Sequence, residues 1–144
     1  MSDVFDPKNE VQPQTIDWGM VGDFVSGTKV GQRNGVKTRF GENSIYTIKA
    51  EGGSFHRVNA DKTIGEKVDI KAGEVWEVWG RGDIFDGQMN RMQIGQKFGL
   101  KFTESKPSTM GNDAKIIKVF TTGEMDTEWL ESQQGNDGFG SFGK

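Results

Sequence analysis

Apolar residues in this chain recur mostly at every second position, in short runs broken by glycine, which is the pattern of half-buried strands. Phe24, Val25, Thr28 and Val30 supply β-formers to a long first strand expected near 20–32. Gly22, Gly27 and Gly31 interrupt it and predict bulges or a sharp coil. A second strand is expected near 44–50, with Tyr46 and Ile48 on one face and Thr47 and Lys49 on the other. The third, near 75–80, holds Val75, Trp76, Val78 and Trp79 and stops at Gly80-Arg81-Gly82. In the fourth, near 96–104, Phe98, Leu100 and Phe102 alternate with Gly99, Lys101 and Thr103. The fifth is KIIKVF, near 115–121. Between the third and fourth the period changes. Phe85, Met89 and Met92 fall at i, i+4 and i+7, predicting a short helix near 83–92, with Asp83 as candidate N-cap and Ile84 beside the apolar face.

A helix this short closes a βαβ crossover poorly, but it fits as a plug at one end of a small barrel. In an OB-fold a helix sits between the third and fourth strands in that way. The expected class is therefore all-β with one short helix: a five-stranded Greek-key OB-fold barrel with disordered acidic ends. Glycine at 21 of 144 residues, spread between apolar runs, agrees with tight turns and bent strands. Residues 1–15 read as a disordered arm, 16–123 as the barrel domain, and 124–144 as an acidic, then Gly- and Phe-containing, disordered tail. Residues 59–72 read as an extension of the barrel, with one short strand at 67–70.

Charge is uneven. Residues 24–118 carry 16 Lys and Arg against 11 Asp and Glu, whereas residues 1–23 and 119–144 each carry one lysine against five acids. A basic body between acidic ends fits an ordinary soluble surface or a body that meets a polyanion. With no cysteine there is no disulfide frame and no thiolate metal site. His56 is the lone histidine, for which a structural or surface role is expected, and no P-loop, G-x-S-x-G or HExxH occurs. These absences argue against an enzyme and for a binding module without cofactor or metal. No apolar run approaches the roughly 20 residues that cross a membrane, and the first 14 residues lack a basic stretch followed by an apolar one, so a cytoplasmic protein (host cytoplasm, if viral) is expected.

The positive signal is aromatic residues interleaved with basic ones. Alternation sets Trp76 and Val78 on one face of the third strand and Val75, Glu77 and Trp79 on the other. Glu77 marks the second face as the outer one, so Trp79 is a candidate for exposure, followed by Arg81. Phe55 and Arg57 share a face; Lys101 and Lys118 face away from their strands' apolar residues. Arg33, Lys37 and Arg39 with Phe40 fall in RNGVKTRFGEN, a loop or hairpin tip around the turn dipeptide Asn34-Gly35. That loop reads either as a basic finger offering an aromatic platform or as a solvated loop with Phe40 tucked under it. Trp79 and Phe55 read either as stacking surfaces or as packing beneath the 59–72 extension. Exposed rings beside cations suit single-stranded nucleic acid, where bases stack for about 1–3 kcal/mol each and cations follow the phosphates.

The succession VGDFVSGT, FGENSIYTIKAEGG, EVWEVWGRGDIFDGQMNRMQIGQKFGLKFTE and AKIIKVF resembles, over residues 18–121, small phage-type OB-fold single-stranded DNA-binding proteins. The resemblance implies a sequence-independent single-strand binder in phage DNA replication or recombination. It also implies a groove across the second and third strands, bounded by loops at 33–43 and 104–114. The expected nucleic-acid-binding set is Arg33, Lys37, Arg39, Phe40, Lys49, Phe55, Arg57, Trp79, Arg81, Lys101 and Lys118. Single-stranded DNA is the expected partner, and the C-terminal tail is the candidate contact for replication or recombination proteins. The tail departs from the family pattern: its acids are spread out and it ends GFGSFGK. The competing class is a phage structural or protein-docking OB-type module without a nucleic-acid role, since fold does not fix function.

Overall fold

A computed structural model describes residues 14–39, 41–106 and 114–140. The chain is mostly β. Two long antiparallel strands dominate it, β2 (Phe24–Thr38) and β3 (Gly41–Val58), after a two-residue β1 (Gln14–Thr15). The ladder between them shifts register at Ser26/Gly27, Lys29/Gly31 and Arg33/Val36, so the expected glycine bulges are present and let β2 bend. Two glycines are obligatory here. A Cβ on Gly27 would collide with the carbonyl oxygen of Lys49, and one on Gly53, at φ +145°, with that of Phe24. Asn34-Gly35 is not the hairpin tip that the dipeptide suggested. Gly35, at φ +66°, sits in the third bulge, and the strands run on until Thr38 pairs with Gly41.

β4 (Ile64–Ile70) pairs with the end of β3, longer than the short strand expected there. β5 (Val75–Trp79), α1 (Asp83–Arg91), β6 (Lys97–Lys106) and β7 (Ala114–Phe120) follow where the alternation put them. The sheet runs β1-β5-β3-β2-β6-β7, all antiparallel except β1 on β5, and its described pairings leave it open. Residues just after β1 stitch its two ends. Ile16 N–H donates to the Glu77 carbonyl of β5, and the Trp18 carbonyl accepts from Lys115 Nζ of β7. Ile16 and Trp18 are buried, which sets the domain's beginning at β1.

The core takes one face of every long strand: Val25, Tyr46, Ile48, Phe55, Trp76, Val78, Leu100 and Phe102 are all nearly inaccessible. α1 plugs it with Phe85 and Met89, and Met92 follows just beyond the helix. Two details of the helix differ from expectation. Its N-cap is Gly82, and Asp83 makes no side-chain cap bond. Asp86 does that work instead, accepting from the Gly82 N–H at 3.3 Å and from the Tyr46 hydroxyl at 2.7 Å. Ile84 is 83% exposed, because it lies a third of a turn off the plugging face.

At the other end of α1, Lys29 is buried and its Nζ donates to the carbonyls of Met89 (2.8 Å) and Met92 (3.0 Å), with the Tyr46 ring 5.8 Å away. A cation there complements the carbonyl end of the helix, while burial pushes the Lys29 ammonium below its ordinary pKa. Lys29→Met keeps the packing but leaves two carbonyls without a donor. It is expected to cost about 2–4 kcal/mol of stability, read from the urea midpoint at unchanged slope.

The tail is not disordered from residue 124, as composition suggested. Glu124 O accepts from Lys97 N–H, Met125 bridges Gln96, and Asp126 N–H donates to Gly95 O at 2.7 Å. α2 (Thr127–Gly140) then starts with Asp126 Oδ1 accepting from Trp129 N–H at 3.0 Å, an ordinary N-cap, and Leu130 lies against Gly95. The folded domain therefore extends past 123. No helix among the described residues is long and apolar enough to cross a membrane.

Candidate nucleic-acid interface

Strand pairing turns the separate candidates into rows. On the outer face of β2, β3 and β5 the rows are Arg33–Ile45–Trp79, Gly31–Thr47–Glu77 and Thr28–Lys49–Val75. Trp79 is half-buried on this face while Trp76 is buried on the other, as alternation required. Arg33 is exposed and its Nη2 donates to Glu77 Oε2 at 2.7 Å. The base of the β2–β3 arm is fixed to α1 through Gln32, whose Nε2 donates to Asn90 Oδ1 and Asn34 Oδ1. Beyond it Lys37 is exposed opposite Glu42, and Arg39 lies in the turn. Phe40 lies outside the described residues.

The start of α2 reaches one end of the same face. Thr28 Oγ1 donates to Asp126 Oδ2 at 2.6 Å, and Lys49 Nζ stands 4.0 Å from that oxygen. Lys97 stands 3.5 Å from Glu124. The hydrogen bonds from Thr28 and from the Trp129 N–H, aided by Lys49 and Lys97, hold the Asp126 carboxyl below the usual carboxylate range.

Five candidates do not belong to this face: Phe55, Arg57, Arg81, Lys101 and Lys118. Phe55 has no exposed surface. It pairs with Val68 of β4 and meets Trp76 edge-on at 5.3 Å, so packing beneath the 59–72 segment was the correct alternative. Arg57 stands over the rings of Phe55 (5.0 Å) and Trp76 (5.9 Å), donates to Thr15 O, and lies 3.7 Å from Asp17. It clamps the N-terminal segment to the sheet. His56 is likewise structural: its Nδ1 lies 2.8 Å from Asp23 Oδ1, and buried Asp23 also accepts from the backbone N–H groups of Met20 and His56. Among the described residues no cluster of three metal-ligating groups occurs.

Arg81 lines a separate cleft of about 890 Å³ with Lys115, Met20, Val21, Val58 and Ile64. Burial lowers the pKa of both cations, and Arg81 lowers that of Lys115 further. Lys101 and Lys118 face each other on β6 and β7, exposed, on the outside of the sheet beyond β2. Register also reveals two residues that the sequence patterns did not single out. Phe24 is opposite Lys101, and Phe120, two residues along from Lys118, shares its face; both rings are exposed. They were read only as strand formers: the glycine-interrupted run around Phe24 has no regular alternation to mark its outer face, and Phe120, although it shares the outward face of Lys118, ends its strand. Comparison with family models, curated proteins and solved structures gave no match.

Proposed function

We propose that this chain is a largely sequence-independent single-stranded DNA-binding protein on a five-stranded Greek-key OB barrel. Support for the barrel comes from the pairing order β5-β3-β2-β6-β7, with a plugging helix between the third and fourth of these strands in the chain and a stitch between the open edges. Support for the function rests on one observation above others: Trp79 lies partly exposed on an outer β-face, in the row of Arg33 and two rows along from Lys49. A ring with cations on the same face lets a base stack while nearby phosphates are neutralised, with no need to read sequence. A setting in phage replication or recombination follows from the family resemblance alone.

The test is a salt titration of oligo-dT binding, followed by tryptophan quenching. Binding is expected at low salt, weakening with a log–log slope near −0.7 for each phosphate neutralised, and much weaker for duplex. Absence of binding at low salt, or equal preference for duplex, would sink the reading and favour a protein-docking role.

A further inference from the structure

The face formed by β2, β6 and β7 lies outside the Trp79 face, and two cross-strand rows describe it. The first runs Ser54–Phe24–Lys101–Lys118, and the second runs Gly52–Ser26–Gly99–Phe120. Phe24 is 44% and Phe120 52% exposed, unusual for rings on a sheet with a well-filled core. Two strand spacings, about 10 Å, separate them across the sheet. Gly99 stands between, so the surface there is bare backbone. The result is a trough of about 430 Å³ whose lining includes Phe24, Ser26, Gly99, Lys101 and Phe120.

Charge decides what fits it. Arg33, Lys49, Arg57 and Lys97 each stand within 4 Å of a carboxylate. Lys101 and Lys118 have no such partner among the described residues, although they face each other directly. Like charges opposed on neighbouring strands cost stability, so an anion laid between them recovers it. The nearest acid in the first row is Asp69, paired to Ser54 at its far end, three strands from Lys101. Two exposed rings with a gap between them, flanked by two uncompensated lysines, match alternating bases and phosphates; a peptide added to the β7 edge would pair with backbone and leave the rings and lysines of the face unused.

We propose that the outer face of β2, β6 and β7 is a second contact track for the same single strand, Phe24 and Phe120 stacking bases while Lys101 and Lys118 hold phosphates. It rests on the single-strand reading above and extends it: the DNA wraps from the Trp79 face around the barrel.

The experiment uses the full chain and two oligo-dT probes. One has about 6 nucleotides, enough for one face; the other has about 25, beyond the roughly 4–16 that one OB domain occupies. Gly99→Leu is the cleanest variant. Its Cβ would meet only Val25 O at 3.6 Å and Ser26 Cβ at 3.9 Å, ordinary contacts, so the side chain fills the trough without disturbing the strand. It is expected to weaken binding of the long probe about tenfold, and of the short probe at most about twofold. The pair Phe24→Ala with Phe120→Ala should do the same. Lys101→Ala with Lys118→Ala should flatten the long probe's salt slope by up to about 1.4 and leave the short probe's slope unchanged. If Gly99→Leu melts like wild type and binds the long probe equally well while Trp79→Ala does not, the second track is wrong and the function stands. If wild type binds neither probe, both fall. If Gly99→Leu abolishes a concentration-dependent dimer but spares DNA binding, the face joins copies of the chain and the track is wrong.

Discussion

Trp79→Ala is expected to weaken oligo-dT binding by about 5- to 150-fold, the worth of one base–aromatic stack, with little change in salt slope. The fold should survive, because Trp79 is only half-buried and stands outside the core cluster, in contrast to Trp76. The contrasting variant removes Arg33, Lys37 and Arg39 together. It should weaken all sequences alike and flatten the slope, by at most about two units. The loss should fall short of that limit. Arg33 already spends part of its field on Glu77, and Lys37 lies opposite Glu42, so neither offers a whole uncompensated charge. Fluorescence titrations of both variants at three or more salt concentrations separate stacking from charge. A Trp79→Ala protein that binds like wild type would remove the ring from the interface.

Removing residues 124–144 is expected to tighten DNA binding, most visibly at low salt. Asp126 and Glu124 stand beside Lys49 and Lys97, so DNA on this face must displace carboxylates or work around them. Freeing both lysines should steepen the salt slope by up to about 1.4. The same contact gives a pH signature. The folded-state pKa of Asp126 lies below the ordinary carboxyl value of 3.8, so its contribution to docking is present above pH 3.8 and is lost as pH falls through the folded value. Protection of the Trp129 and Leu130 amides, taken relative to unfolded rates at the same pH, should therefore be high at neutral pH and fall in acid before that of the β3 and β5 amides. A truncated chain that binds no more tightly at low salt, or α2 amides that are unprotected at neutral pH, would show that the acidic segment does not compete for this face.

What could be read in advance was decided by local period. β5, β6, β7 and α1 fell within a few residues of the expected limits, and Trp76 in with Trp79 out followed from Glu77 alone. The long strands were underestimated because Arg33–Thr38 and Gly52–Val58 extend the ladder without burying a regular apolar face. Asn34-Gly35 supplies a positive φ that a turn and a bulge use equally well. Phe55 with Arg57 looked like an aromatic–cation pair offered to solvent. It is such a pair, but it faces the core against Trp76 with β4 alongside, and neither that contact nor the pairing of β4 was visible locally. The tail misled for the same reason: Asp126, Trp129 and Leu130 are too few to form a period, and their partners Thr28 and Gly95 are distant. The Phe24–Lys101–Lys118 row spans three strands and exists only in register.

The stitch between Trp18 and Lys115 joins residues 97 apart, and the bond between Thr28 and Asp126 joins residues 98 apart. On a ribosome, Trp18 therefore has no partner on β7 until the 97 residues up to Lys115 have followed it out. The β2–β3 hairpin can form early, since its contacts are local, whereas closure at both ends must come last and carries the largest loop-closure cost. β5 finds β1 as its edge partner as soon as it emerges, whereas the outer edge of β7 has no strand partner among the described residues. The interval between synthesis of β7 and release of the tail is when a nascent copy is most open to pairing with a neighbour, and a destabilised stitch would prolong it.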